Sequence, residues 1–70
     1  MSEIVEKSVI GAILIDPKYV SEIYEQIRLE MFGSSFCRSV YAEILKAYDS
    51  GKPITLISIA QKLQGENFSQ

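Results

Sequence analysis

Few residues of this chain have the chemistry to act on a substrate or to hold a metal ion. The 70 residues contain no histidine and a single cysteine, Cys37. Histidine is the commonest general base, and histidine and cysteine are the usual zinc ligands, so most nucleophilic schemes and a structural zinc site are excluded. Cys37 lies on the apolar stripe of a predicted helix with Arg38 as its one basic neighbour. This setting favours a buried thiol over a reactive one.

The remaining candidates for chemistry are carboxylates, tyrosines and glycines. Glu22 and Glu25 lie on the solvated face of a predicted helix, which favours a structural role over acid–base chemistry. Four tyrosines offer stacking surfaces for bases, but the helical spacing of Tyr41 and Tyr48 favours core or interface positions. The four glycines are isolated and form no phosphate-binding loop. We therefore predict no catalytic, cofactor-binding or metal-binding residue in this chain.

The charge pattern argues against nucleic acid and membranes as direct ligands. The net charge is −2, and the seven basic residues are spread evenly rather than along one stripe that would follow phosphates. The longest apolar run, residues 9–15, ends at Asp16, well short of the ~20 residues that a membrane span needs. It also lacks the basic start of a secretory signal. We expect a cytoplasmic protein with a reduced thiol.

Turn signals divide the chain into four segments, and each segment carries an apolar stripe at helical spacing. The first helix is predicted over about residues 3–15 and the second from Pro17 to about residue 28. The third follows a cap at Ser34 or Ser35, and the fourth follows a cap at Thr55 and ends before Gly65. Met31 and Phe32 are predicted to fill the core from a short connector. We expect an all-α domain over residues 1–65, a compact bundle of about four short helices, with a disordered tail at 66–70.

The first helix has an unusually wide apolar face. It is therefore expected to be covered on more than one side, and Gly11, which costs about 1 kcal/mol in a helix, is expected to permit close approach of another helix. On that view, Gly11→Leu would destabilise the domain by about 1–3 kcal/mol through overpacking.

Residues 53–63 also resemble the first helix of a helix-turn-helix unit. Such a unit needs a second, basic recognition helix, and the six residues after Gln64 are too few and not basic. A DNA-binding helix-turn-helix module therefore stays an alternative. A second alternative is a free-standing helical adaptor of the phage type.

Taken in order, several short runs resemble one known family. These are residues 6–17 (EKSVIGAILIDP), Met31-Phe32, residues 38–41 (RSVY), and residues 48–56 (YDSGKPITL), followed by Ala60 and Leu63. Over residues 4–65 the sequence is similar to the amino-terminal domain of bacterial replicative DNA helicases of the DnaB type. It departs from the family pattern at Met31, Cys37 and Thr55, where the family usually has an acid, a histidine and an aspartate. Thr55 keeps a capping oxygen, so the helix start should survive.

The resemblance implies a non-catalytic scaffold. In this family the domain forms a collar on the helicase ring, pairs with the other subunits as a homo-oligomer, and helps to engage primase; a helicase loader is a further expected partner. ATP and Mg²⁺ belong to a motor domain that this chain lacks. The family domain continues with a helical hairpin, so we expect this shorter chain to expose apolar interface positions at Ile10, Leu14, Ile57 and Phe68.

Overall fold

The computed structural model describes residues 1–64, and these residues form a bundle of helices without strands. The four α-helices are α1 (Glu3–Ile15), α2 (Val20–Gln26), α3 (Ser35–Asp49) and α4 (Leu56–Leu63). Two 3₁₀ turns, Pro17–Tyr19 and Leu29–Met31, stand on either side of α2. The predicted all-α class is confirmed. The predicted tail at 66–70 lies outside the described residues.

Side-chain caps begin three of the helices, and the two at Ser34 and Thr55 were predicted. The hydroxyl of Ser2 accepts from the Val5 N–H at 3.2 Å and opens α1. Ser34 accepts from the Cys37 N–H and opens α3, which decides between the two candidate serines. Thr55 accepts from the Ser58 N–H at 3.1 Å and opens α4. Each hydroxyl satisfies an N–H group that has no partner inside its helix.

The second helix is shorter than predicted. Pro17 opens a 3₁₀ turn rather than an α-helix, and α2 ends at Gln26 instead of about residue 28. Ile27 is extended, with φ −123° and ψ 109°. Its carbonyl accepts the Tyr41 hydroxyl at 2.6 Å instead of a helical N–H. The tertiary contact with α3 therefore coincides with the point at which the helical pattern stops.

All four helices contribute side chains to the core. Its fully buried side chains include Ile13, Val20, Phe32, Tyr41 and Ile44, none more than 1% exposed. The Phe32 and Tyr41 rings stack with centroids 4.6 Å apart. The expected core position of Phe32 is confirmed, but that of Met31 is wrong. The 3₁₀ turn directs Phe32 inwards and leaves Met31 47% exposed.

Gly51 forms the turn that follows the end of α3, as expected. Its φ is +68°, the left-handed conformation that suits glycine just beyond a helix. The Gly51 N–H donates to the Tyr48 carbonyl at 3.2 Å, and the Lys52 N–H donates to the Ala47 carbonyl at 2.9 Å. This turn lets the chain reverse, so that α4 packs against α3. Within residues 1–64, every helix is too short or too polar to span a lipid bilayer.

Candidate protein-binding surface

An apolar groove lies where α1, α3 and α4 meet. It has a volume of about 270 Å³ and is bounded almost entirely by carbon atoms. Ile10, Cys37 and Ile59 are buried in its floor, while Phe36 and Leu56 border it with 60% and 68% of their surface exposed. Leu56 lies on the apolar stripe of α4 and is nevertheless exposed. The other lining residues are Lys7, Gly11, Leu14, Val40, Ala60 and Leu63.

Gly11 lines this groove and does not permit the close helix contact that we expected. A Cβ built at residue 11 meets no atom within 4 Å of the part of the chain that the structure describes. The expectation that Gly11→Leu would overpack the domain is therefore wrong. The glycine thus faces open space within the described part of the chain.

The solvent-facing side of α1 is a second apolar surface, which we call the α1 outer face. It consists of Ile4, Val5, Ser8, Ala12 and Ile15, which follow one another at helical spacing. Ile4 is 79% exposed and Ile15 is 87% exposed. The face carries no charged residue, although it is in contact with solvent along the whole helix. Residues 1–64 thus leave this side of α1 uncovered, so the expected cover on more than one side is not seen among them.

The four predicted interface positions have different environments. Ile10 is only 8% exposed, so its expected exposure is wrong: it packs inwards, towards α3. Leu14 is half-buried and lines the groove. Ile57 is 72% exposed on α4. Phe68 lies outside the described residues. The role of these residues in an interface stays a prediction.

Glu6 is the main electrostatic feature of this part of the molecule. Its side chain is fully buried and accepts the Gly33 N–H at 2.7 Å and the Ser34 N–H at 3.1 Å. The Met1 amino group lies 3.9 Å away. The pKa of Glu6 is lowered, mainly by the hydrogen bond from Gly33. Burial acts in the opposite direction, whereas the hydrogen bond from Ser34 and nearby positive charge lower the pKa further. The carboxylate thus joins α1 to the start of α3.

The sequence analysis did not identify this contact of Glu6. A signal was present, because Glu6, Ile10 and Ile13 follow the i, i+4, i+7 spacing of one buried face. Glu43 was also missed: its side chain is 5% exposed and accepts from the Lys46 ammonium at 3.2 Å. The Glu6 carboxylate joins two helices, whereas the Glu43 carboxylate pairs with Lys46 of its own helix. Among residues 1–64, no group of three or more potential metal ligands lies together.

The other residues considered for chemistry lie on α2 and α3. Cys37 is buried, as expected, and Glu22 and Glu25 are exposed on α2. The Tyr41 hydroxyl is held by the Ile27 carbonyl, and burial raises the pKa of that hydroxyl. Within residues 1–64 no helix follows α4, so the described structure lacks the second helix of a helix-turn-helix unit. The functional candidate is therefore the apolar surface around α1.

Comparison with known proteins identifies the family. The model of the DnaB-like helicase N terminal domain matches residues 2–70. A curated relative, the "Replicative DNA helicase DnaB" of Nostoc sp. (strain PCC 7120 / SAG 25.82 / UTEX 2576), is 33% identical over 58 residues, which cover 83% of this chain and 7% of that protein. The chain thus spans a small part of the relative's length. No solved structure matches it significantly. The family match over almost every residue, together with the all-α fold, shows that the chain belongs to the family of DnaB-like helicase N-terminal domains.

Proposed function

We propose that this domain is a non-catalytic protein–protein interaction module of a replicative DNA helicase, part of the collar of the ring, which binds neighbouring subunits and helps to engage primase. The observation that carries the proposal is the α1 outer face, an exposed helix surface without a charged side chain. A helix that carries apolar residues on more than one side is typical of an element buried on more than one side. Helix α1 carries apolar residues on its core side and on this outer face, but among residues 1–64 the core side alone is buried.

The dimensions of the α1 outer face fit a partner helix. Ile4 and Ile15 are eleven residues apart, which corresponds to about 16 Å along the helix axis. The smaller Ser8 and Ala12 lie between them, which leaves room for a side chain from a partner. Burying an isoleucine side chain fully contributes about 1.5–3 kcal/mol, so two such residues supply a useful part of a binding energy. Depletion of charge is also characteristic of the central part of an interface.

The same proposal implies that ATP is bound and hydrolysed in a different part of the helicase. The buried carboxylates Glu6 and Glu43 are engaged with backbone N–H groups and Lys46, respectively. We infer that ATP and Mg²⁺ act in another part of the full-length protein. Binding of ADP or a non-hydrolysable ATP analogue to residues 1–70 would contradict this inference, and isothermal titration measures it directly.

The central experiment tests binding with single substitutions on the α1 outer face. Ile15→Lys and Ile4→Lys introduce a charge into an apolar contact, so each is expected to weaken binding to the primase carboxy-terminal domain or to helicase subunits at least tenfold. Tyr48→Lys, at a half-exposed position on α3, is the matched control. Circular dichroism checks that all variants keep the fold.

Two outcomes contradict the proposal. One is the failure of the unmodified domain to bind either primase or another helicase subunit at concentrations up to the millimolar range. The other is equal binding by both α1 variants, the control and the unmodified domain. Fluorescence anisotropy with DNA over a series of salt concentrations tests the helix-turn-helix alternative, for which a steep salt dependence is expected.

A further inference from the structure

Three lysines from two helices and the turn between them line a single pocket. The pocket lies between α3 and α4 and has a volume of about 330 Å³. Lys46 lies in the last turn of α3, Lys62 in the last turn of α4, and Lys52 in the segment that joins the two helices. We propose that this pocket binds an acidic segment of a partner protein, whose carboxylates pair with the lysine ammonium groups.

The fold brings these lysines together although the sequence spreads them apart. Lys52 directly follows the left-handed Gly51, and its N–H donates to the Ala47 carbonyl at 2.9 Å, so its backbone is fixed beside the end of α3. Lys62 follows Ile59 by three residues and lies on the same side of α4, and Ile59 is buried in the core. The pocket therefore has an apolar floor with charged groups around it. Three of the seven basic residues of the chain lie here, a concentration that their even spacing along the sequence does not reveal.

The pocket has an excess of positive charge in an acidic chain. Its lining includes the three lysines and two carboxylates, those of Glu43 and Asp49, whereas the net charge of the whole chain is −2. The Lys46 ammonium pairs with Glu43 at 3.2 Å, and the Glu43 side chain is only 5% exposed. Asp49 is the exposed carboxylate beside Lys52 and Lys62, but among residues 1–64 neither of these two lysines forms an ion pair. An acidic ligand would balance this excess, and complementary charge of this kind selects partners.

The lining of the pocket favours protein carboxylates over nucleic acid. Among the described residues, neither an arginine nor an aromatic ring lines the pocket, so it lacks the usual groups for bidentate phosphate contacts and for base stacking. The carboxylates of Glu43 and Asp49 would also repel a continuous phosphate backbone. Ala47 and Ile59 add apolar surface, which suits an acidic segment that carries an apolar side chain. The volume is near the lower end of the range of about 300–1,000 Å³ for ligand pockets, so the pocket accommodates a few side chains.

Titration with a defined peptide tests the proposal on the 70-residue chain. The probe is a short peptide of glutamates with one central leucine and blocked ends, and the control peptide has glutamine in place of every glutamate. The amide NMR signals of Lys52, Ser58 and Lys62 should shift to saturation with the glutamate peptide and stay unchanged with the glutamine peptide. Because salt screens exposed charges, the affinity should fall as the ionic strength rises. Lack of saturable shifts with up to millimolar peptide would overturn the proposal, as would tighter binding of single-stranded DNA at the same residues.

Charge changes inside and outside the pocket separate a specific site from general electrostatic attraction. Lys52→Glu and Lys62→Glu should each weaken binding of the glutamate peptide about threefold or more, because attraction becomes repulsion. Lys18→Glu makes the same change in net charge at an exposed position outside the pocket and is the matched control. Asp49→Asn should strengthen binding, whereas Glu22→Gln, its control on α2, should leave the affinity unchanged.

Two results with these variants would contradict the proposal. One is equal affinity of every variant and the unmodified chain, and the other is the same loss of affinity in Lys18→Glu as in the pocket variants. A purely structural role of the lysines at the helix ends would give the first result together with a lower Tm. Because the pocket shares no residue with the α1 outer face and the tests use neither primase nor helicase subunits, either result would leave the proposed function unaffected.

Discussion

Replacing Gly11 with alanine should stabilise this domain. Gly11 lies in the interior of α1, where its backbone conformation is helical, and a Cβ added there meets no described atom within 4 Å. The substitution therefore adds helix propensity without a steric cost. Alanine is favoured over glycine by about 0.8–1.0 kcal/mol in a helix interior. In a domain of this size, each kcal/mol of added stability raises the Tm by about 4–8 °C, so the Tm of Gly11→Ala should rise by several degrees.

Thermal unfolding followed by circular dichroism at 222 nm measures the effect, and Gly51→Ala is the matched control. An added Cβ at Gly51 also meets nothing within 4 Å, but its φ is +68°. A left-handed conformation costs a residue with a Cβ about 1–2 kcal/mol, so Gly51→Ala should lower the Tm. The two variants make the same chemical change in equally open surroundings and should shift the Tm in opposite directions.

A lower Tm for Gly11→Ala would refute this reasoning. It would show that some group approaches Gly11 closely in solution, so that the open space beside α1 is filled. Alanine is the appropriate replacement because a single methyl group leaves most of the groove empty. Leucine would add apolar contacts of its own and would mix helix propensity with filling of the groove.

Three further substitutions test the contacts that hold the helices together. Glu6→Gln should make the free energy of unfolding less dependent on pH in acid. The folded state lowers the pKa of Glu6 below 4.5, so the stability that the carboxylate contributes is present above that pH and is lost as the pH falls through the folded pKa. Urea unfolding at several pH values measures this dependence. Tyr41→Phe leaves the Ile27 carbonyl without its donor and should cost about 1–2 kcal/mol in urea unfolding, whereas an unchanged midpoint would show that water replaces the hydroxyl. Thr55→Ala removes the cap of α4 and should cost about 1 kcal/mol, and Thr55→Ser should restore most of it.

Much of the fold was predictable because helix ends depend on local chemistry. The bounds of α1, the caps at Ser34 and Thr55, and the turn at Gly51 follow from residues within a few positions of each boundary. The early end of α2 was not predictable in the same way. It coincides with a hydrogen bond from Tyr41, which lies 14 residues away in the sequence, and no local pattern contains that information.

The candidate surface was harder to predict than the fold. Because α1 carries apolar residues on two sides, its pattern does not show which side faces the core, and Ile10 was assigned to the wrong side. Leu56 begins α4 and borders the groove, so a residue on the apolar stripe of that helix is still exposed. Glu6 was missed because burial of a carboxylate is expected only when its partners are known. Here those partners lie 27 and 28 residues later in the sequence.

The Glu6 contact has a consequence for how the sequence can change during evolution. The partners of the carboxylate are backbone N–H groups, which every residue except proline supplies. Gly33 has no left-handed φ, and a Cβ there would lie 3.6 Å from the Glu6 Oε2 atom, an ordinary van der Waals separation. Relatives can therefore replace Gly33 by many residues and keep the contact, whereas position 6 has no comparable freedom. Selection to keep this contact should therefore restrict the residue at position 6 and not the residue at position 33.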